Sequence, residues 1–378
     1  MNRLPIACVA LVCFFAASTF AAEFPVIKLG TAAPEFSLPG VDGRTYTLKD
    51  FADAKLLAII FTCNHCPTAQ AYEERIKQLV TDYKSRGVAI VAINPNSNDA
   101  VRFDELGYTD LDDSLESMKV RAAHKQFNFP YLDDGPTEKF SKQLGPIATP
   151  HVFIFDQERK LRYQGRIDDN ERESLVKNKD TRAAVDALLA GRQPSVAETK
   201  VFGCSTKWDT KIDANKRWLE RVRKEPVTLQ PAAAEVLRDI RANKSDKLRL
   251  VNVWATWCGP CVAEFDQLVE TNLRFRHRDF ELITIAAQFP DEKDKIHKFL
   301  EKHHASTRNY YFADTDKYKM FEALDPEWQG GLPHTLVIAP GGEVIYRVTE
   351  ELDFLELRRK IVPALNRITP WPGMSDAQ

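Results

Sequence analysis

The sequence lacks a charge excess of either sign. Lysine and arginine number 52 against 54 aspartates and glutamates, a formal net charge of −2. No basic field is available to hold a phosphate backbone, which excludes a nucleic-acid binder. A second long apolar run is also missing, which excludes a multi-span membrane protein. Nor is the composition biased: 44% hydrophobic and 28% charged residues are the proportions of ordinary globular chains, not of disordered or collagen-like ones. At about 150 residues per domain, 378 residues make two or three globular units.

The one strongly apolar run opens the chain. Asn2 and Arg3 precede an uncharged stretch from Leu4 to Ala22, with small Thr19 and Ala21 at the positions a signal peptidase inspects. Residues 1–21 therefore read as a secretory signal peptide cleaved after Ala21, with an uncleaved anchor as the other reading. Val12 is too large to precede a lipidated Cys13. Either way the chain is expected to be exported and periplasmic, with no membrane span after cleavage.

Cysteine is scarce, seven residues in all, and Cys8 and Cys13 leave with the signal peptide. Of the other five, four form two Cys-x-x-Cys pairs, Cys63/Cys66 and Cys258/Cys261, and Cys204 stands apart. In an oxidising compartment such pairs act as redox dithiols unless a metal holds them. A structural zinc site would need all four thiols together, but they fall in separate halves of the sequence. Copper on Cys63, Cys66 and a histidine such as His151 suits soft thiolates and stays a minor alternative. No metal or cofactor is expected beyond the redox-active disulfides Cys63–Cys66 and Cys258–Cys261.

The two halves repeat one order of elements. Lys55 to Phe61 and Leu248 to Ala255 read as buried strands, each followed by a cysteine pair and then a helical run. Each half then carries a Pro-His dipeptide, Pro150-His151 or Pro333-His334, before a hairpin. Both cysteines shift by the same 195 positions, from 63 to 258 and from 66 to 261. The first half is longer, and the extra residues are assigned to a polar stretch, Asn94 to Ser117, that interrupts it. The expected organisation is 22–191 and 227–367 as two α/β domains, each a mixed central sheet flanked by helices, joined by a linker over 192–226 with a charged solvated helix. Residues 368–378 form a tail. A final helix starts at Phe354 behind an Asp353 cap and should end or kink near Val362, because of Pro363.

A dithiol catalyst needs one exposed thiol that ionises near neutral pH and a second that attacks the mixed disulfide. A strand-to-helix junction supplies the positive end of a helix dipole to the first thiol, and two intervening residues bring the second within disulfide reach. Cys258 is thus the expected nucleophile, covered by Trp257, with Pro260 fitting the first helical turn and Cys261 buried. Glu264, one turn on, could exchange a proton with Cys261 or be an ordinary surface carboxylate. In the first motif, charged His65 is expected to favour the Cys63 thiolate, giving a more oxidising disulfide than that around Gly259-Pro260. Pro150 and Pro333, opposite the cysteines, are expected to be cis, leaving Thr149 and Leu332 to line a groove that pairs with a substrate chain.

The run from Val251 through Trp257-Cys258-Gly259-Pro260-Cys261, with Gly331-Leu332-Pro333-His334-Thr335, resembles the TlpA/ResA-type periplasmic thioredoxins over most of residues 227–367. That resemblance implies Cys258 as nucleophile, Cys261 as resolving thiol, Glu264 as buried proton acceptor and Pro333 as the cis-proline. Asp266 stands where that family has a helix-kinking proline. The first half resembles the redoxin (AhpC/TSA) branch, through Ala33-Pro34-Glu35-Phe36-Ser37-Leu38, Asn64-His65-Cys66-Pro67, Gly165 to Asn170, and Gly203-Cys204-Ser205-Thr206-Lys207-Trp208. Cys66-Pro67-Thr68 matches the Cys-Pro-Thr of true peroxiredoxins, but the threonine they carry three residues earlier is here Cys63.

These observations point to a thiol–disulfide oxidoreductase acting on protein substrates, with a membrane thiol-reductase as electron donor. A thiol peroxidase reduced in cis by the second domain, and a copper or cytochrome-assembly thiol chaperone, are the alternatives. Cys204 is read as an inert buried thiol, with a third redox partner or an intermolecular link as its other readings.

Overall fold

The computed structural model describes residues 23–371, so the expected signal peptide lies outside the described residues. Among those described, no helix is long and apolar enough to cross a membrane.

Two sheets organise the chain. The first contains β1 (Leu56–Phe61), β2 (Val88–Asn94), β3 (Tyr131–Asp133), β4 (His151–Phe155) and β5 (Leu161–Gly165), in the order β3-β2-β1-β4-β5. β1, β2 and β3 run parallel, and β4 and β5 add an antiparallel hairpin beside β1. The second contains β6 (Gln230–Ala232), β7 (Leu248–Trp254), β8 (Phe280–Ala286), β9 (Arg308–Phe312), β10 (His334–Ile338) and β11 (Val344–Val348), in the order β6-β9-β8-β7-β10-β11. It repeats the plan: four parallel strands, then an antiparallel hairpin beside β7.

β1 and β7 are buried at every position. A strand covered on both faces reads as a continuous apolar run, which is why both stand out in the sequence. Tyr72, Ile76 and Leu79 cover one face of the first sheet, and Phe36, Phe51 and Phe140 the other. The fold is thioredoxin-like in both units, as expected.

The register of the hairpins assembles each site. Phe61, last in β1, pairs with His151, and Val253 in β7 pairs with His334. The loop leaving each central strand therefore lies against the residues just before its antiparallel neighbour. Those residues are Thr149-Pro150 and Leu332-Pro333, and both peptide bonds are cis.

Three expectations change. The helix after the first motif is broken, into α1 (Pro67–Ala71) and α2 (Glu73–Tyr83). Tyr72 at the break is fully buried, and its hydroxyl donates to Asp168 Oδ1 at 2.7 Å. Of the two outcomes expected at Pro363, an end or a kink near Val362, the first does not occur: the last helix runs from Phe354 to Ile368 through the proline. Phe354, Leu357, Ile361, Ala364 and Leu365 are all buried in one core, and that packing holds the parts on either side of the proline as one element.

The third change concerns Asn94 to Ser117. This polar stretch does not stand apart from the first unit: Asn94, Asn96, Leu106, Thr109, Leu111 and Asp113 are all buried. It packs under the first cysteine motif and also meets the second unit. Arg278 Nη1 donates to the Gly107 carbonyl at 3.0 Å, with its guanidinium 4.3 Å from the Tyr108 ring centroid. Arg358 Nε reaches the Asp110 carbonyl at 2.8 Å.

Candidate dithiol sites

In the second unit, helix α3 (Gly259–Phe275) begins immediately after Cys258. Cys258 is its N-cap, and its sulfur accepts the Cys261 N–H at 3.3 Å. Pro260 lies in the first turn, where no backbone donor is lost. The two cysteines are disulfide-bonded, with Cys258 6% and Cys261 1% exposed. Trp257 is 65% exposed, an apolar surface beside the disulfide. The helix continues unbroken past Asp266, whose carboxylate lies 2.6 Å from His303 Nδ1.

Glu264 is buried, 3% exposed, one turn beyond Cys261. Its Oε2 accepts the Leu352 N–H at 3.0 Å, and its Oε1 lies 3.4 Å from Asn252 Nδ2. Burial raises its pKa; the two hydrogen bonds offset only part of that. A carboxyl whose pKa is raised holds a proton more readily than an ordinary one and can return it. Pro333 is buried, and Leu332 is partly exposed at the edge of the same site.

The first site is built differently. Pro67 follows Cys66 directly and occupies the first turn of α1, so the N-cap is Cys66, not Cys63. The Cys66 sulfur accepts the Ala69 N–H at 3.4 Å and the Cys204 N–H at 3.3 Å, and its thiol reaches the Thr149 carbonyl at 3.3 Å. Burial opposes ionisation of Cys66, but the neighbouring Cys204 and Cys63 thiols, the His65 charge and the Ala69 N–H together hold its pKa well below the usual thiol value. Cys63 goes the other way. Burial, Cys66 and the Asp113 charge push its pKa up, against a Thr149 hydroxyl 3.2 Å from its sulfur. The expectation that His65 favours a Cys63 thiolate is therefore corrected: the favoured thiolate is Cys66, because the helix starts three residues later in this motif.

His65 owes its charge to a residue the sequence did not single out. Its Nδ1 lies 2.6 Å from Asp113 Oδ2, while Asp113 Oδ1 accepts the backbone N–H groups of both Asn64 and His65 at 2.9 Å. Asn96 Nδ2 adds a bond to Oδ2 at 2.8 Å. Burial alone would lower the His65 pKa, but the Asp113 carboxylate outweighs it and the net shift is upward. Asp113 is correspondingly lowered, with the His65 charge overcoming its burial. The opposite polarity of these buried partners is the signal an alignment of spacing cannot carry, since they lie 48 positions apart.

Thr149 and Cys204 complete the site. Thr149 is 1% exposed rather than open to a substrate groove, because Ala148–Thr149 pairs antiparallel with Cys204–Ser205, Thr149 opposite Cys204. Gly203 permits that approach: its φ is +134°, and a Cβ there would lie 2.0 Å from the Thr149 carbonyl oxygen. The strap continues as Lys207, whose N–H donates to Asn96 Oδ1 at 2.8 Å, and as buried Trp208 against Phe24. Cys204 is half-buried and packs against Cys63, Cys66 and Ala69. Pro150 is buried behind it.

His151 does not join the cysteines. It packs on Phe153, with Nδ1 accepting the Ile147 N–H at 3.4 Å, and burial lowers its pKa to about 3. Among the described residues, the side chains close enough to share an ion are Cys63, His65 and Asp113, with ligand atoms within 4.8 Å of one another.

Two thioredoxin-like units, each presenting a Cys-x-x-Cys against a cis-proline, define the class of protein. The chain belongs to the AhpC/TSA family, which matches residues 29–164 and 233–347 and so covers more than half its length. Among curated relatives, it is 29% identical over 99 residues to the thiol-disulfide oxidoreductase ResA of Bacillus subtilis, a match covering 26% of this chain and 51% of that protein. It is 28% identical over 144 residues to the thiol:disulfide interchange protein CycY of Rhizobium leguminosarum, covering 38% and 70%. The chain thus spans about half the length of ResA. A solved structure of a hypothetical protein from Sinorhizobium meliloti is 34% identical, covering 50% of this chain and 98% of that one, with a TM-score of 0.43.

Proposed function

We propose that the protein is an exported thiol–disulfide oxidoreductase that exchanges disulfides with protein substrates at two sites. The observation that carries this reading is the Cys258–Cys261 disulfide at a helix N-terminus, beside cis-Pro333 and above buried Glu264. Cys258 is the nucleophile, Cys261 resolves the mixed disulfide, and Glu264 holds the proton in transit. Cys66, as the stabilised thiolate, and Cys63 do the corresponding work in the first unit. Exposed Trp257 and partly exposed Leu332 frame the face a substrate chain would meet. A membrane thiol-reductase is the proposed electron donor, and export rests on the apolar opening of the sequence.

Redox titration of each pair in glutathione buffers, using Cys63→Ser and Cys258→Ser variants, tests the proposal. Two reversible two-electron transitions are expected, with the first site the more oxidising because backbone N–H groups and the neighbouring His65 favour its Cys66 thiolate. Failure of both pairs to cycle would overturn it.

A peroxidase reading of the first site has one specific observation in its favour. Cys66 caps a helix as a favoured thiolate but is 0% exposed, which admits a small oxidant more readily than a folded protein. Rapid sulfenic acid formation at Cys66 with hydrogen peroxide would establish that reading over disulfide exchange at this site.

A further inference from the structure

The buried first site poses an access problem. Cys63 is 3% and Cys66 0% exposed, and the backbone edge beside cis-Pro150 is already taken by the Cys204–Ser205 strand. The chain's own strap therefore occupies the edge that a substrate segment would use, with a cysteine at the position paired to Thr149. Cys204 is the partly exposed member of this thiol cluster, and its N–H already reaches the Cys66 sulfur at 3.3 Å. The second unit has no such cover among the described residues: Gly331 is exposed, and neither it nor Leu332 belongs to a paired strand.

We propose that Cys204 is a third redox thiol of the first site, forming a Cys66–Cys204 disulfide through which electrons from a protein dithiol reach the buried Cys63–Cys66 pair. The inference rests on the oxidoreductase reading above and adds its point of entry.

The steps balance without a further oxidant. The Cys66 sulfur and burial disfavour a free Cys204 thiolate, so Cys204 passes its proton toward Cys63 as its sulfur attacks Cys66 Sγ of the Cys63–Cys66 disulfide; the Cys66–Cys204 bond forms, the Cys63–Cys66 bond breaks, and Cys63 leaves as the thiol. A thiolate of the partner then attacks Cys204 Sγ, forming a partner–Cys204 disulfide and expelling Cys66. Cys66 is the best leaving group of the three because two backbone N–H groups already hold its sulfur. The partner's second thiol gives up its proton and its sulfur attacks the partner's own bonded sulfur, releasing Cys204, which takes up that proton. Cys63 and Cys66 are reduced by two electrons, and the partner dithiol is oxidised to its disulfide.

Two measurements on the full chain test this. In Cys63→Ser, oxidised glutathione should produce a Cys66–Cys204 disulfide, read by mass mapping as a linked pair of the tryptic peptides 56–75 and 201–207. In Cys204→Ser, reduction of the Cys63–Cys66 disulfide by reduced thioredoxin, the protein dithiol probe, should slow at least tenfold. Reduction of Cys258–Cys261 in the same molecules should keep its rate, which also reports that the variant is folded. Absence of the linked peptides, or an unchanged rate in Cys204→Ser, overturns the role of Cys204 and leaves the oxidoreductase reading standing. Failure of both pairs to cycle in the unmodified chain would instead strike at that reading.

Discussion

His65 Nδ1 stands 2.6 Å from Asp113 Oδ2, with both side chains almost wholly buried. This buried pair favours the charged form of His65, inside the loop between Cys63 and Cys66. Its carboxylate also fixes the loop backbone through the Asn64 and His65 N–H groups. The tuning of the first site thus comes from a residue supplied by the polar stretch that the repeat between halves leaves over.

Replacement of Asp113 by Asn keeps an oxygen for the two backbone bonds but removes the charge that raises the His65 pKa. Burial then disfavours the charged form of His65 unopposed by that charge, and the Cys66 pKa should rise by about one unit. The reduced form loses stabilisation, so the Cys63–Cys66 potential should fall by about 30 mV. The sign follows from linkage: with its folded pKa raised, the charged His65 stabilises the fold fully below 6.5, and that contribution disappears as pH rises through the raised value. Thiolate absorbance against pH and glutathione titration check both; an unchanged Cys66 pKa would remove Asp113 from the tuning.

Glu264→Gln tests the proton path of the second site. Gln keeps acceptor capacity for the Leu352 N–H but cannot take a proton from Cys261. Thiol-driven reduction of Cys258–Cys261 should slow by about a hundredfold, the usual contribution of positioned acid–base groups. Its pH profile should also lose an inflection lying above the ordinary carboxylate range, the direction in which burial moves Glu264. A merely structural Glu264 would alter the rate without removing the inflection.

Much of this was legible beforehand for a physical reason. β1 and β7 are buried on both faces and so are written as apolar runs, and the two Pro-His dipeptides mark the start of the antiparallel strands beside them. The offset of the first helix was also written in the sequence, in Pro67 after Cys66 where the second motif has Pro260 before Cys261. Proline belongs in a first helical turn, so the two motifs could not start their helices at the same cysteine. Asp113 and Cys204 carried no such local mark. Asp113 lies in a stretch whose polarity reads as exposed, and only the folded loop shows that its oxygens are filled by N–H groups. Cys204 reaches its site through a pairing of two residues with two, too short for any periodicity to reveal.

Gly203→Ala should lift the Cys204 strap. Alanine there faces both a backbone conformation that L-residues rarely adopt and a clash with the Thr149 carbonyl. The expected cost is about 1–3 kcal/mol of stability, seen as a lower denaturant midpoint. Alkylation of Cys66 should accelerate, since the strand covering it is displaced. Slower or unchanged alkylation would mean that the strap does not control access.

Asp133 sits in the same buried polar layer, 5% exposed, with its Oδ1 accepting the Gly135 N–H at 3.1 Å and Asn94 Nδ2 at 3.2 Å. Burial raises its pKa to about 6, more than those two bonds lower it. A carboxyl with a raised folded pKa binds its proton more tightly in the native state, so the fold is favoured at low pH and loses stability as pH rises from the unfolded value of about 4 through 6. Asn in place of Asp133 keeps the oxygen and removes the ionisation. The variant should therefore match the unmodified chain near pH 4 and exceed it at pH 7.5, by up to about 3 kcal/mol. Denaturant unfolding at the two pH values measures the difference. A variant less stable at both would mean that the ionised carboxylate is itself required, with Asn94 and Gly135 holding a charge and not merely an acceptor.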